Sequence, residues 1–453
     1  MKRSIVLLIL LCAWGTETEG QGFRPDRGQV RPLVFYEAVN LIPFDSSLSR
    51  IDIQYRIDLG FFVPVKDPDA ESAAAYRRTG EILVELLDST GTTRARELHQ
   101  VEQGDNASEH PPEESHWYQG AFSFEVPPGD YSLLFDVDDK ESNRQFTDKS
   151  RSVHAARFGS GEPVSSTPMF LTDTLHAVSE QRLILQNFGG DIRFGSPGSV
   201  LLEIPAPDPP VERVEVEYAI RPAQEEEEGD GDPLFTGTLA DVPLRSGYAL
   251  RHSENSAALS YDMKEDRTRT SAWLVVPLPT HRLPLRMFTL SLEIRLNDEP
   301  IRVRKPLRTV WPEMPQSLKD VNFALEALRY ITTGDELDSL MSGDFTTRRN
   351  NLERFWARKD QTPETAYNEV MTQYYRRVDH AIRSFGTIRQ PNGLRSDRGR
   401  VYILYGPPTS TRRSLDPEEG FQEIWVYQRL GKKFTFADPG KSGDYELLST
   451  SEL

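Results

Sequence analysis

Gly393-Leu394-Arg395-Ser396-Asp397-Arg398-Gly399-Arg400-Val401-Tyr402-Ile403-Leu404-Tyr405-Gly406-Pro407-Pro408 is the stretch on which the fold of the C-terminal third turns. Glycines, a hydroxyl and an acid make its first half a polar turn. Arg400 to Tyr405 has the β-branched and aromatic composition of a strand, and Gly406-Pro407-Pro408 is a stop signal. Ahead of it, Thr362 as N-cap, Pro363 at the first helical position and Glu364 in the first turn predict a helix. Its stripe is Tyr367, Val370, Met371, Tyr374, Tyr375, Val378, Ala381, Ile382 and Phe385, at the i, i+3, i+4, i+7 spacing of one buried face. A stripe that long needs a cover. Val401–Tyr405, Ile424–Tyr427, Lys433–Phe436 and Tyr445–Leu448 are expected to supply it as an antiparallel meander. Upstream, Leu318, Val321, Leu325 and Leu328 mark one more helix, and Arg348 to Ala357 another.

Before Trp311 the period changes from helical to two. Ile51-Ile53-Tyr55-Ile57-Leu59, Ile82-Val84-Leu86, Phe122-Phe124-Val126 and Tyr131-Leu133-Phe135-Val137 alternate, with turn residues at Ser89-Thr90-Gly91 and Pro127-Pro128-Gly129-Asp130. Val214-Val216-Tyr218-Ile220, Trp273 to Val276 and Phe288-Leu290-Leu292-Ile294-Leu296 continue the pattern. The expected fold is multidomain, β plus α+β: two immunoglobulin-like β-sandwich modules over 31–157 and 169–310, joined by a Gly/Ser/Pro linker at 158–168, then helices on a small antiparallel sheet over 311–453. Glu102 to Ser115 is read as a surface loop. So is Glu225 to Asp232, whose carboxylates lack the spacing of a calcium loop.

Residues 1–20 begin with Lys2 and Arg3, continue through the apolar run Ile5 to Leu11 and end in a polar stretch. This is the pattern of a secretory signal peptide, too short to span a bilayer. The single cysteine, Cys12, lies within it, so a cleaved chain has no thiol for a disulfide, a metal or a nucleophile. Ordinary cores must then carry the fold, and roughly 430 residues suffice for about three of them. The net charge is −17, yet residues 311–453 hold 20 Lys+Arg against 21 Asp+Glu, which places the acidic excess upstream. So acidic a protein is a poor nucleic-acid binder. No later apolar run reaches the length of a membrane span.

Several motifs in one order carry a resemblance: Phe355-Trp356, Arg358 to Pro363, Asn368-Glu369, Tyr374-Tyr375-Arg376-Arg377, Ser396 to Ile403, Tyr405 to Pro408 and Glu423-Ile424-Trp425-Val426-Tyr427. From about Trp311 to Leu448 the chain resembles the GWxTD domain of secreted bacterial proteins. Gly393 and Asp397 match the name-giving pentapeptide, Ser396 replaces its threonine, and Leu394 stands in the tryptophan position. The resemblance implies an exported protein of bacteria such as Bacteroidetes and Acidobacteria, with β-sandwich segments ahead of the domain and no established activity.

Candidate chemistry concentrates in Asp360, Asn368, Glu369, Arg377, Asp397, Arg398 and Arg400. Glu369, Gln373 and Arg377 project from one side of the predicted helix. With Asp397 turned over that helix, the group would form an anion cleft or a carboxylate pair for general acid–base hydrolysis. The alternative is an ion-pair network fastening helix to sheet. The absence of a nucleophile motif, a metal set or a cofactor loop favours the second reading. From Arg376 to Arg413 the chain has nine Arg, two Asp and neither Lys nor Glu, an excess of +7. That is either a docking face for an acidic partner or the counterpart of the acidic upstream regions. Trp117-Tyr118 and Trp273 read as core residues before sugar-stacking ones, and Asp136, Asp138 and Asp139 as solvated.

The reading is therefore an exported component of the cell envelope, periplasmic, outer-membrane-associated or secreted. It is non-catalytic and without a cofactor or metal, engaging an envelope protein or an anionic glycan. The competing readings are a hydrolase using Glu369 and Asp397, and carbohydrate binding by the sandwiches.

Overall fold

The computed structural model describes residues 34–45, 47–67, 75–106, 116–158, 165–172, 182–223, 232–253, 258–296, 299–387, 390–416, 420–440 and 442–453. The expected signal peptide, most of the linker and Glu225 to Gly231 lie outside them. The chain divides into two compact units, residues 32–326 with 333–375 and residues 327–332 with 376–453. Strands dominate the first unit, and helices gather towards the C-terminus.

In the larger unit the first β region has seven long strands: β1 (Val34–Leu41), β2 (Ser49–Asp58), β3 (Ala75–Leu87), β4 (Thr93–Asn106), β5 (Trp117–Val126), β6 (Gly129–Asp139) and β7 (Gln145–Ala155). They form an antiparallel sheet β1–β2–β5 and a second sheet β4–β3–β6–β7. Alternate apolar residues of both sheets meet in one core: Ile51, Ile53 and Ile57 from β2 with Ile82, Val84, Phe135 and Val137. The second region contains β8 (Gly198–Pro205), β9 (Arg213–Pro222), β10 (Phe235–Ser246), β11 (Ser271–Leu278), β12 (Met287–Leu296) and β13 (Glu299–Val310). These lie in the order β13–β12–β9–β10–β11–β8, with Ile192–Arg193 and Met169–Leu171 at the two margins of an eight-stranded sheet. Val200, Val216, Leu274, Leu290 and Ile301 share its core.

β2 shows that alternation alone does not assign a solvent face. Its polar residues Arg50, Asp52, Gln54 and Arg56 are buried, as its isoleucines are. They face the second β region: Arg50 forms a fork with Asp52 (Nη2–Oδ2 2.7 Å) and donates to the Leu250 carbonyl, while the Tyr261 hydroxyl donates to Asp52 at 2.9 Å. Arg56 donates to the Gln186 carbonyl and lies over the rings of Trp117 and Phe188. A second buried pair joins Glu203 on β8 to Arg269 at 2.5 Å, and Ser271 donates to the same carboxylate. Burial pushes the Glu203 carboxyl up, against the opposing pull of Ser271 and Arg269. Val39, Leu41 and Ala121 pack with Leu183, Leu201, Tyr261 and Trp273 beside these charges. Residues from both β regions thus form one continuous core.

The helices are α1 (Val321–Ala327), α2 (Gly334–Leu340), α3 (Phe345–Ala357), α4 (Glu369–Phe385) and α5 (Asp397–Tyr405). A four-stranded antiparallel meander follows: β14 (Ser410–Asp416), β15 (Gly420–Tyr427), β16 (Lys432–Asp438) and β17 (Glu446–Glu452).

Four local expectations are corrected. Val401–Tyr405 is helix α5 and not a strand, because the Ser396 hydroxyl caps the turn by accepting from Gly399 N–H and tertiary burial of Val401 and Ile403 overrides their β propensity. The first strand of the meander is Ser410–Asp416 instead. The aromatic helix starts at Glu369 and not at Thr362; Asn368 caps it, its Oδ1 accepting from Met371 N–H at 2.8 Å. Thr362 instead directs its hydroxyl to Glu369. Glu102 to Asn106 extends β4 through pairing with Ala75–Thr79, and Asp139 is buried, accepting from Val63 N–H and the Ser142 hydroxyl.

Candidate functional site

Close packing positions the site in the smaller unit. The Asn392 side chain accepts from Leu394 N–H, setting a single turn of 3-10 helix, Gly393–Arg395, ahead of the α5 cap. A Cβ on Gly393 would stand 2.1 Å from the Ala381 carbonyl oxygen, and one on Gly399 would stand 1.9 Å from the Gly393 carbonyl oxygen. Backbone therefore meets backbone at both places, and only glycine leaves the room. Leu394 is fully buried between them, its carbonyl accepting from the Tyr330 hydroxyl at 2.6 Å.

This turn delivers the first residues of α5 to the meander. The Arg398 guanidinium donates to Glu423 (Nη1–Oε2 3.3 Å) and to the Gly443 carbonyl (3.1 Å), and lies 4.2 Å over the Tyr445 ring. Glu423 also accepts from Trp425 Nε1 at 2.8 Å and pairs with Arg413 at 3.4 Å. Burial pushes Arg398 below its ordinary range, against the pull of Glu423. Asp397 accepts from Leu447 N–H through Oδ2 (2.8 Å) and pairs with Arg400 through Oδ1 (3.0 Å). Both charged residues of the first turn thus hold the β16–β17 connection and the start of β17 to the helix.

Arg377 serves the other end of α5. Its Nη1 reaches the carbonyls of Ile403 (3.4 Å) and Leu404 (3.3 Å), acceptors that a helix C-terminus leaves open. Gly406 ends the helix at φ +78°, and the Tyr427 hydroxyl donates to its carbonyl at 2.8 Å. Desolvation lowers the Arg377 guanidinium below its usual value. Nearby, His380 stacks on Tyr402 with ring centroids 4.2 Å apart, and burial together with Arg383 pushes its pKa down.

The other three sequence candidates belong to the larger unit. Asp360 accepts from Thr362 N–H at 3.0 Å, Glu369 accepts from the Thr362 hydroxyl at 2.6 Å, and Asn368 Nδ2 donates to the Trp356 carbonyl at 3.0 Å. The candidates therefore fall into two groups, Arg377, Asp397, Arg398 and Arg400 on one unit and Asp360, Asn368 and Glu369 around Thr362 on the other. Glu423 was missing from the sequence set, although an acid at the alternate position before Trp425 and Tyr427, on the apolar side of a strand, signals a buried charge with a partner.

The capped aromatic helix, glycine turn, α5 and meander all lie within residues 304–452, which a family model matches. Residues 304–452 form a GWxTD domain. No curated protein matches the chain. Solved structures with some likeness include the C-terminal domain of the Streptococcus agalactiae AgI/II polypeptide BspA, at 8% identity over 61% of this chain and 100% of that one, with TM-score 0.14. Escherichia coli alpha-2-macroglobulin activated by porcine elastase is similar at 10% identity over 59% of this chain and 27% of that one, with TM-score 0.16. Vertebrate astrotactin-2 is similar at 9% identity over 96% and 92% of the two chains, again with TM-score 0.16. Scores this low establish no shared fold.

Among the arginines of the GWxTD domain, Arg398, Arg400 and Arg413 sit in ion pairs and Arg377 bonds to carbonyls. Arg383 and Arg412 form no ion pair among the described residues. Among the described residues, Arg412 lies on β14, which pairs with β15 alone and is exposed from Ser410 to Leu415.

Proposed function

We propose that the protein is a non-catalytic interaction or assembly component of the bacterial cell envelope, exported by its N-terminal leader. Its upstream β regions serve as immunoglobulin-like modules, and the GWxTD domain presents the docking surface. One observation carries this reading: among the described residues β14 offers an open main-chain edge with the Arg412 guanidinium in no ion pair, while Asp397 and Arg398 are engaged in holding α5 to its sheet. An open edge supplies main-chain donors and acceptors, and a guanidinium beside it selects carboxylates. The partner expected at this edge is an acidic segment of an envelope protein.

A photo-crosslinking residue placed at Ser410 would test this on intact cells. The proposal expects one predominant adduct, lost when Arg412→Glu is added and recovered with Arg412→Lys. An adduct pattern indifferent to both changes would remove the β14 edge from the function.

A further inference from the structure

Helix α3 brings two guanidiniums to one groove whose lining holds no carboxylate. Asn351, Arg354 and Arg358 stand at i, i+3 and i+7, so they share one side of the helix, and that side meets the last turn of α2. With Ser339, Leu340 and Ala357 they line an open groove of about 530 Å³ within the larger unit.

The polar groups of this groove divide into those already engaged and those left over. Asn351 Nδ2 donates to the Leu340 carbonyl at 3.1 Å, and the Ser342 hydroxyl donates to the Ser339 carbonyl at 2.7 Å. Two carbonyls at the end of α2 that would repel an anion are thereby occupied. Arg354 makes two long hydrogen bonds within α3, to the Asn350 carbonyl (3.2 Å) and to Asn351 Oδ1 (3.4 Å), and no ion pair among the described residues. The Arg358 guanidinium and the Ser339 hydroxyl have no hydrogen bond or ion pair among the described residues, and Ser339, Arg354 and Arg358 are all exposed.

Elsewhere on α3 a cation has its counter-charge one turn away: Arg349 pairs with Glu353 at 3.2 Å. Arg354 has Arg358 at that spacing instead. Cations in a last turn interact favourably with the helix dipole, but that effect requires neither a shared side nor a facing groove. Like charges with Cβ atoms about 6 Å apart repel, and an anion between them reverses the sign.

We infer that this groove binds a phosphate monoester, whose oxygens are taken by the forks of Arg354 and Arg358 and by the Ser339 hydroxyl. A monocarboxylate matches one fork and one charge. A phosphate monoester near pH 7 carries a charge of about −1.5 to −2 and three acceptor oxygens, which suits two guanidiniums and a hydroxyl. The site lies on α2 and α3 and is independent of the β14 edge.

Calorimetric titration of the full chain with glycerol 3-phosphate, at fixed ionic strength, tests it. Wild type is expected to bind this ester at least about tenfold more tightly than acetate. Arg354→Gln and Arg358→Gln are each expected to weaken binding about tenfold, whereas Arg349→Gln, which removes a charge already paired on the same helix, leaves it unchanged. Circular dichroism should show all three variants folded as wild type, since the side chains are exposed. Should Arg354→Gln or Arg358→Gln lose helix signal, Ser339→Ala supplies the comparison, with an expected loss of about threefold. Phosphatidylcholine vesicles containing phosphatidic acid distinguish the source of the group: co-sedimentation reversed by glycerol 3-phosphate assigns it to a lipid, and none assigns it to a soluble ester. Equal affinity for acetate, a loss with Arg349→Gln as large as with Arg358→Gln, unchanged affinity in the folded variants or no binding of glycerol 3-phosphate to the wild-type chain would each overturn the inference.

Discussion

Strand β2 and helix α5 make the useful comparison, because each contains a run of apolar residues with charged neighbours and each conceals something different. In β2, Arg50-Ile51-Asp52-Ile53-Gln54-Tyr55-Arg56 reads as a strand with one wet face, yet both faces are buried and the polar one forms an ion-paired junction. In α5, Arg400 to Tyr405 reads as a strand, yet a serine cap and two backbone-to-backbone approaches wind it into a helix. Periodicity reports which residues avoid water from one side. It does not report what lies on the other side, nor whether a cap upstream has already chosen the backbone conformation.

Breaking the β2 junction should have the largest effect. Asp52→Ala leaves Arg50 buried without its carboxylate and removes the acceptor of the Tyr261 hydroxyl, so equilibrium denaturation should show a loss of about 3–5 kcal/mol. A loss below about 1 kcal/mol would mean that this face is hydrated in solution. Next comes Gly399→Ala, where a methyl group must displace the Gly393 backbone; a loss of about 1–3 kcal/mol is expected. Were Gly399 in a loop before a strand, the same change would be neutral or stabilising. Ser396→Ala should cost about 1 kcal/mol through the lost cap, with Ser396→Asp retaining most of it.

The smallest effect concerns pH. The hydroxyl of Ser150 and then that of Tyr36 hold the Asp148 carboxyl at about 2, below its ordinary 3.8. A depressed carboxyl pKa means that the unfolded chain binds the proton more readily. Its contribution is therefore complete above pH 3.8 and is lost as pH falls towards 2. Urea midpoints of wild type and Asp148→Asn should converge across that interval and differ above it.

Much of the architecture was legible in sequence. The β-to-α change near Trp311, the aromatic stripe of α4 and three of the four meander strands follow from period alone. The start of α4 was displaced because Thr362-Pro363-Glu364 satisfies every N-terminal preference while Asn368, six residues on, makes the actual cap. Helix α2 was missed because Gly334–Leu340 has two acids in its first turn and little apolar periodicity over seven residues. Within the site, Asp397, Arg398 and Arg400 were identifiable as a charged turn, but their partner Glu423 is 25 residues beyond Arg398 and Leu447 is 50 beyond Asp397. No local pattern carries pairings of that range. Arg412 drew notice only as one arginine among nine, since its being unpaired is a property of the folded edge.

On the proposed reading Asp397 is a fastener and Arg412 a contact, and cross-linking yield per folded molecule on intact cells separates the two roles. With the crosslinker at Ser410, Asp397→Asn should lower the thermal midpoint, reflecting about 1 kcal/mol, and leave the yield per folded molecule unchanged. Arg412→Glu should leave the midpoint unchanged and abolish the adduct. A stable Asp397→Asn protein that loses its adduct, or an Arg412→Glu protein that keeps it, would contradict the account.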